Sequence, residues 1–146
     1  MKKVILVLLA LTLLTVIGCS DKDVKKHHYV FEGENDDWTV VYDVKAKETF
    51  TKKDGTLHYD SKSDKEFTVT YKKDISGLAS NKNIEITYDS SVGGGKITEE
   101  IDKVSPQKTY SMKSSSTGGA IENADEVIEV IIKIDGNLQT IELKNE

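Results

Sequence analysis

No arginine occurs in this chain of 146 residues: all 20 basic side chains are lysine, set against 25 aspartates and glutamates. An acidic chain without the guanidinium forks that grip phosphates and guanine edges is a poor match for nucleic acid, so no nucleic-acid partner is expected. There is one cysteine, Cys19, one proline, Pro106, and one tryptophan, Trp38. A single thiol excludes an intramolecular disulfide and a cysteine-rich zinc site. A copper electron-transfer site needs a thiolate, two histidines and usually a methionine; Met112 is the only methionine after Met1, and Cys19 is the only thiol. The histidines are an adjacent pair, His27 and His28, and a distant His58, so no metal and no cofactor are expected. Long apolar runs are equally scarce. The one nearly unbroken run, Val4 to Ile17, is fourteen residues long, whereas a membrane-crossing helix needs about twenty.

What that run can do follows from its flanks. Met1-Lys2-Lys3 puts positive charge before it, small Gly18 follows, and Cys19 comes next, the order of a secretory signal. Val16-Ile17-Gly18-Cys19 resembles the lipobox of bacterial lipoproteins, in which the cysteine thiolate takes a diacylglycerol before a peptidase cuts on its amino side. Residues 1–18 are therefore expected to be a signal peptide cleaved between Gly18 and Cys19, with Cys19 as the lipid-attachment residue. Loss of Lys2 and Lys3 leaves 18 lysines against 25 carboxylates, a formal charge of −7. The two or three acyl chains of such a protein hold it stably on the extracytoplasmic face of the cell membrane, or on the outer membrane of a Gram-negative source, where one chain would not. Ser20 to His28 contains a single apolar residue and no turn chemistry. Residues 19–28 thus read as a lipidated flexible tether, and 29–146 as one domain.

The domain reads as strands. From Trp38 to Phe50, apolar residues fill six of seven even positions and one of six odd positions, an alternation that a helical period of 3.6 cannot produce. Shorter alternations lie at Tyr29 and Phe31, Phe67 to Tyr71, Ile84 to Tyr88, Ile97 to Ile101, and Tyr110 to Met112. Val127 to Ile134 fits a helical template too, but its six apolar side chains are all β-branched valine or isoleucine, which favours a central strand. Asp54-Gly55, Asn81-Lys82-Asn83, Gly93-Gly94-Gly95, Ser114 to Gly119 and Asp135-Gly136-Asn137 are read as the separating turns, the last closing a C-terminal hairpin. The expectation is an all-β protein, an antiparallel immunoglobulin-like β-sandwich of about 8–9 strands with no helix, with a closed small barrel as the alternative. Trp38, heading the inward face with Val40, Tyr42 and Val44, is expected in the core.

The run Tyr29-Val30-Phe31-Glu32-Gly33-Glu34-Asn35-Asp36-Asp37-Trp38, followed by a long alternating strand, resembles small lipoproteins of Bacillus-type Firmicutes that share an aromatic, Gly-Glu, then Trp opening. The lysine-only cation set suits an AT-rich genome of that group. The resemblance implies an immunoglobulin-like domain; it implies no particular activity and carries over no catalytic residues.

Chemistry-bearing patterns are sparse. No serine sits in a nucleophile elbow with a histidine and aspartate placed beside it. Gly93-Gly94-Gly95-Lys96 lacks the spacing of a phosphate loop and has Ile97 where serine or threonine would follow. Carboxylate pairs occur at Glu32/Glu34, Asp36/Asp37 and Glu99/Glu100. A solvated surface is the plainer reading of them, although Glu32, Glu34, Asp36 and Asp37 are candidate ion or ligand contacts without EF-hand spacing. The function expected is a non-enzymatic binding module, membrane-anchored through Cys19, with an envelope or surface protein or a cell-wall polymer as partner. The alternatives are a cell-wall hydrolase using Glu32, Glu34 or Glu99, and a passive immunity or inhibitor-type lipoprotein.

Overall fold

The computed structural model describes residues 21–101 and 104–145. The expected signal peptide, the cleavage site at Gly18 and the lipid-attachment residue Cys19 lie outside the described residues. Eight antiparallel strands follow one another: β1 (Asp21–Glu34), β2 (Trp38–Lys53), β3 (Thr56–Tyr71), β4 (Asn83–Ser90), β5 (Gly93–Glu100), β6 (Thr109–Thr117), β7 (Val127–Ile134) and β8 (Asn137–Asn145). A single helical turn, α1 (Ser76–Ala79), bridges β3 and β4 and buries Leu78.

Alternation drives each strand into the sheet. Trp38, Val40, Tyr42, Val44 and Ala46 are buried on β2, while the residues between them are partly or fully exposed. Directly opposed residues share a face, so register fixes the core rows: Phe31, Tyr42 and Phe67 stand abreast on β1, β2 and β3, and Trp38 faces Tyr71. On β7, Ile128, Val130 and Ile132 lie between Leu143 and Ile141 of β8 and Tyr88 and Ile86 of β4. The β-branched run is a central strand, as its composition requires.

The strand order is β5-β4-β7-β8-β1-β2-β3-β6. The β8–β1 junction is short, with Phe31 opposite Asn145 and Glu32 opposite Lys144, plus a bond from the Val30 N–H to Asn145 Oδ1 at 3.0 Å. One antiparallel sheet therefore folds over into two facing four-stranded halves, a sandwich stitched along one side and rolled like a barrel. Its single hydrophobic core lies between the halves. Gly33 marks the stitched side, since a Cβ there would run into the Glu142 carbonyl and the Ile141 and Leu143 side chains.

Asp54-Gly55 and Asp135-Gly136 are hairpin turns with positive φ at both residues, 50° and 78° in the first and 47° and 92° in the second. Both match the twist of the strands that they join. Three expectations are corrected. The tether does not begin the domain: Asp21 to His28 is the first half of β1 and pairs with β2 rung by rung, Asp21 opposite Lys52 through His28 opposite Lys45. An isolated polar stretch reads as solvated, but long β2 supplies backbone partners that composition does not reveal. Gly93 to Gly95 opens β5 rather than forming the turn, which falls at Ser91-Val92, because the Gly95 backbone lies so close to Tyr88 and Met112 that no Cβ fits. Ser114 to Thr117 continues β6, pairing with Lys62 to Lys65 of β3, and the chain turns at Gly118, whose φ is +76°.

Beyond the core, β1, β2 and β3 run on as a three-stranded ribbon. β6 pairs with β3 only from Lys62 onward, and the β8–β1 ladder has rungs only at Phe31 and Glu32. The segment Lys47–Lys53 alone extends about 23 Å at the rise of a strand.

Candidate functional site

Opposite the stitched side, β5 and β6 approach without a ladder between them, and a buried pair of opposite charges lies at this seam. β3 carries Ser61, Ser63 and Lys65 on the same parity as the buried Phe67, Val69 and Tyr71, so its register points Lys65 inward. Glu122, on the connection between β6 and β7, comes in to meet it. Its side chain is wholly buried, and Lys65 Nζ donates to Glu122 Oε1 at 2.6 Å. The Tyr42 hydroxyl donates to the same oxygen at 2.7 Å, and Ser90 Oγ lies 3.5 Å from it. Glu122 Oε2 is buried with no partner. Burial, and then the neighbouring carboxylate, push the Tyr42 hydroxyl far above the ordinary tyrosine range, which keeps it a neutral donor.

A cavity of about 310 Å³ opens onto this cluster. Tyr42, Lys65, Tyr88, Gly93, Gly94 and Ser114 to Ser116 are among the residues that line it. The ring of Tyr88 stacks on Phe67 at 4.5 Å. The hollow is polar, with its Tyr42 hydroxyl and Lys65 ammonium already donating to Glu122 and Ser116 Oγ bonded to Ser63 Oγ at 2.8 Å. No histidine lines it. Ser90 Oγ is engaged with the Gly93 carbonyl at 2.7 Å.

The carboxylates singled out from the sequence have other neighbours. Glu34 pairs with Lys72 at 3.2 Å. Asp37 pairs with Lys73 and accepts from Gln139 Nε2 at 3.1 Å. The Lys73 ammonium, chiefly, holds the Asp37 carboxyl below its usual range against some desolvation. Glu32 and Asp36 are exposed. Between them Asn35 caps the turn, its Oδ1 accepting from the Asp37 and Trp38 N–H groups. Glu99 accepts from Gln107 Nε2 at 3.1 Å beside Tyr110, in a second seam cavity of about 230 Å³. Among the described residues no three histidine, cysteine, aspartate or glutamate side chains gather as a cation cage. Trp38 is fully buried, its ring 4.8 Å from that of Tyr71.

The histidine pair, expected on a tether, is fixed on the ribbon. His27 Nε2 donates to Glu48 Oε2 at 2.8 Å, and its Nδ1 lies 2.9 Å from the Tyr29 hydroxyl. Glu48 Oε1 also accepts from Tyr59 at 3.1 Å. His28 lies 3.2 Å from Asp43. The bond from His27, foremost, holds the Glu48 carboxyl below its ordinary value near 4.5, with Tyr59 assisting and desolvation opposing. A carboxyl whose folded-state value is depressed stabilises the fold above its unfolded value, and loses that contribution as pH falls through the folded one. Glu48→Gln is therefore expected to lower stability at pH 7 by under about 1 kcal/mol. The gap from the parent should close in thermal melts taken progressively below the ordinary carboxylate range. A gap unchanged with pH would mean that ionisation of Glu48 contributes nothing.

No protein-family model, no curated protein and no solved structure matches this chain.

Proposed function

We propose that the protein is a lipid-anchored binding domain of the extracytoplasmic membrane surface, held there through Cys19 and acting without turnover. The observation that carries this reading is the sequence around Cys19: a basic start, an apolar run too short to span a bilayer and a lipobox, set two residues before a strand. In the sequence only Ser20 separates Cys19 from the first residue of β1. Two features support a contact role. Among the described residues the outer edge of β1 from Asp21 to Tyr29 has no strand partner, and such an edge is a template for an added strand. The seam cavity over Lys65 and Glu122 offers a small polar ligand a shaped hollow. For the alternative of a hydrolase built from Glu32, Glu34 or Glu99, Glu34 makes an exposed ion pair with Lys72, and Glu99 accepts from Gln107 through Oε1 while its Oε2 is buried without a partner.

Metabolic labelling with an alkynyl fatty acid tests the anchor. The wild-type chain is expected to incorporate label and to begin at Cys19, and Cys19→Ala to accumulate as unlabelled, uncut precursor. Processing at residue 19 and lipid retention of Cys19→Ala would overturn the reading. Crosslinked capture of envelope partners, with Cys19→Ala as the control, then separates a protein partner lost with the anchor from binding to a polymer or small ligand.

A further inference from the structure

We propose that the tip of the β1–β2–β3 ribbon is a second membrane contact, resting on the lipid surface that holds the anchor and standing the sandwich upright on it. This inference rests on the lipid-anchor reading of Cys19.

Covalent geometry supplies the first argument. Cys19 is two residues before Asp21, so their Cα atoms are at most about 7 Å apart. Asp21 pairs with Lys52, one residue before the last rung of the β2–β3 hairpin, where Lys53 faces Thr56. A lipid on Cys19 therefore brings the headgroup plane to the Asp54-Gly55 turn, with no slack chain to hold it away.

The character of the tip supplies the second. The described residues include six exposed large apolar side chains, and three of them, Val24, Leu57 and Tyr59, lie on this ribbon. Leu57 is 66% exposed. It sits next to Lys52 across the ladder, on the face where the rings of Phe50 and Tyr59 pack 5.3 Å apart and Lys25 Nζ lies 5.3 Å over Phe50. Aromatic rings, a leucine and lysines whose stems lie along them are the composition that settles at a bilayer interface.

Charge supplies the third. Lys22, Lys25, Lys52 and Lys53 outnumber the aspartates at 21, 23 and 54, whereas the chain from Cys19 onward carries a formal −7. An anionic surface repels the body and tolerates the tip, which selects the upright orientation.

The fold provides its own control. Leu138 is also 66% exposed, but it lies at the opposite end of the molecule. It follows the β7–β8 turn, and its neighbour Gln139 bonds to Asn35 and Asp37 at the β1–β2 turn, sixteen residues of β2 away from the ribbon tip.

In the lipidated full protein the Cys19 thiol is consumed, so an introduced cysteine is the only one that a maleimide dye can reach. L57C and L138C, each carrying a polarity-sensitive dye, are reconstituted into vesicles of phosphatidylglycerol and phosphatidylethanolamine with doxyl-labelled chains. Quenching severalfold stronger at 57 than at 138, reduced by K22E/K52E, is the expected result. Equal quenching at both positions on vesicle-bound protein would overturn the proposal, as would protection of L57C through energy transfer between copies, which would assign the tip to self-association. Failure of the anchor itself has a separate signature: wild-type protein that takes up maleimide at Cys19 and does not stay on the vesicles.

Discussion

Lys65→Met is expected to lower stability by about 3–5 kcal/mol, the usual loss when one member of a buried ion pair is removed. The reason lies in what remains. Glu122 Oε1 would keep its bond from Tyr42, but Oε2 already lacks a partner and the side chain has no exposure to water. The charge is then stranded in a medium that solvates it poorly. Removing both charges should restore most of the loss, because Lys65→Met with Glu122→Leu replaces a costly desolvated pair with apolar contacts of similar size. Urea unfolding of the two single variants and the double variant closes the cycle. A loss below about 1 kcal/mol for Lys65→Met would place the pair in the range of exposed salt bridges, in effective contact with water through the seam.

Trp38→Ala is expected to cost about as much, 3–5 kcal/mol, by a different mechanism. The indole is fully buried at the start of β2, with Tyr71 at 4.8 Å and Tyr110 at 6.3 Å between ring centroids. Truncation removes contacts with two rings on β3 and β6 at once, and rigid strands cannot close over the gap. Trp38→Phe separates packing from polarity. The indole Nε1 is buried without an acceptor, so phenylalanine removes an unpartnered donor while it keeps most of the ring, and the loss should stay under about 1.5 kcal/mol. Circular dichroism followed through denaturant midpoints reads both variants without relying on the tryptophan. A Trp38→Phe loss equal to that of Trp38→Ala would show that the indole nitrogen has a partner after all.

The residues that could be read from sequence are those whose signal is periodic or local. β2 and β7 declare themselves through parity and β-branching, and the two Asp-Gly turns through their need for positive φ. Trp38 follows from its place at the head of an alternating strand. Asp21 to His28 defeats that logic because its pairing is supplied wholly by a partner strand, and few of its side chains face a core. The glycines of β5 mislead for a related cause: glycine marks turns, but Gly95 marks a strand position crowded by the Tyr88 and Met112 side chains. Lys65 was legible in principle, a charge falling on the buried parity of β3 two residues before Phe67. Glu122 was not, since its position in a loop carries no period and its partners Tyr42 and Lys65 are 80 and 57 residues away. A long-range polar pair of this kind becomes visible only when the chain is folded.

The fourteen rungs between β1 and β2 have a mechanical consequence. Load applied at Cys19 while the sandwich is gripped elsewhere enters β1 at Asp21 and pulls along the strand axis. β2 runs antiparallel beside it, so the load is resisted in shear, with the backbone hydrogen bonds of the ladder sharing it at once. Load applied across the strand axis would instead peel the ladder open one rung at a time. A pull on the amino-terminal end of β1 is therefore borne by the longest stretch of the β1–β2 ladder.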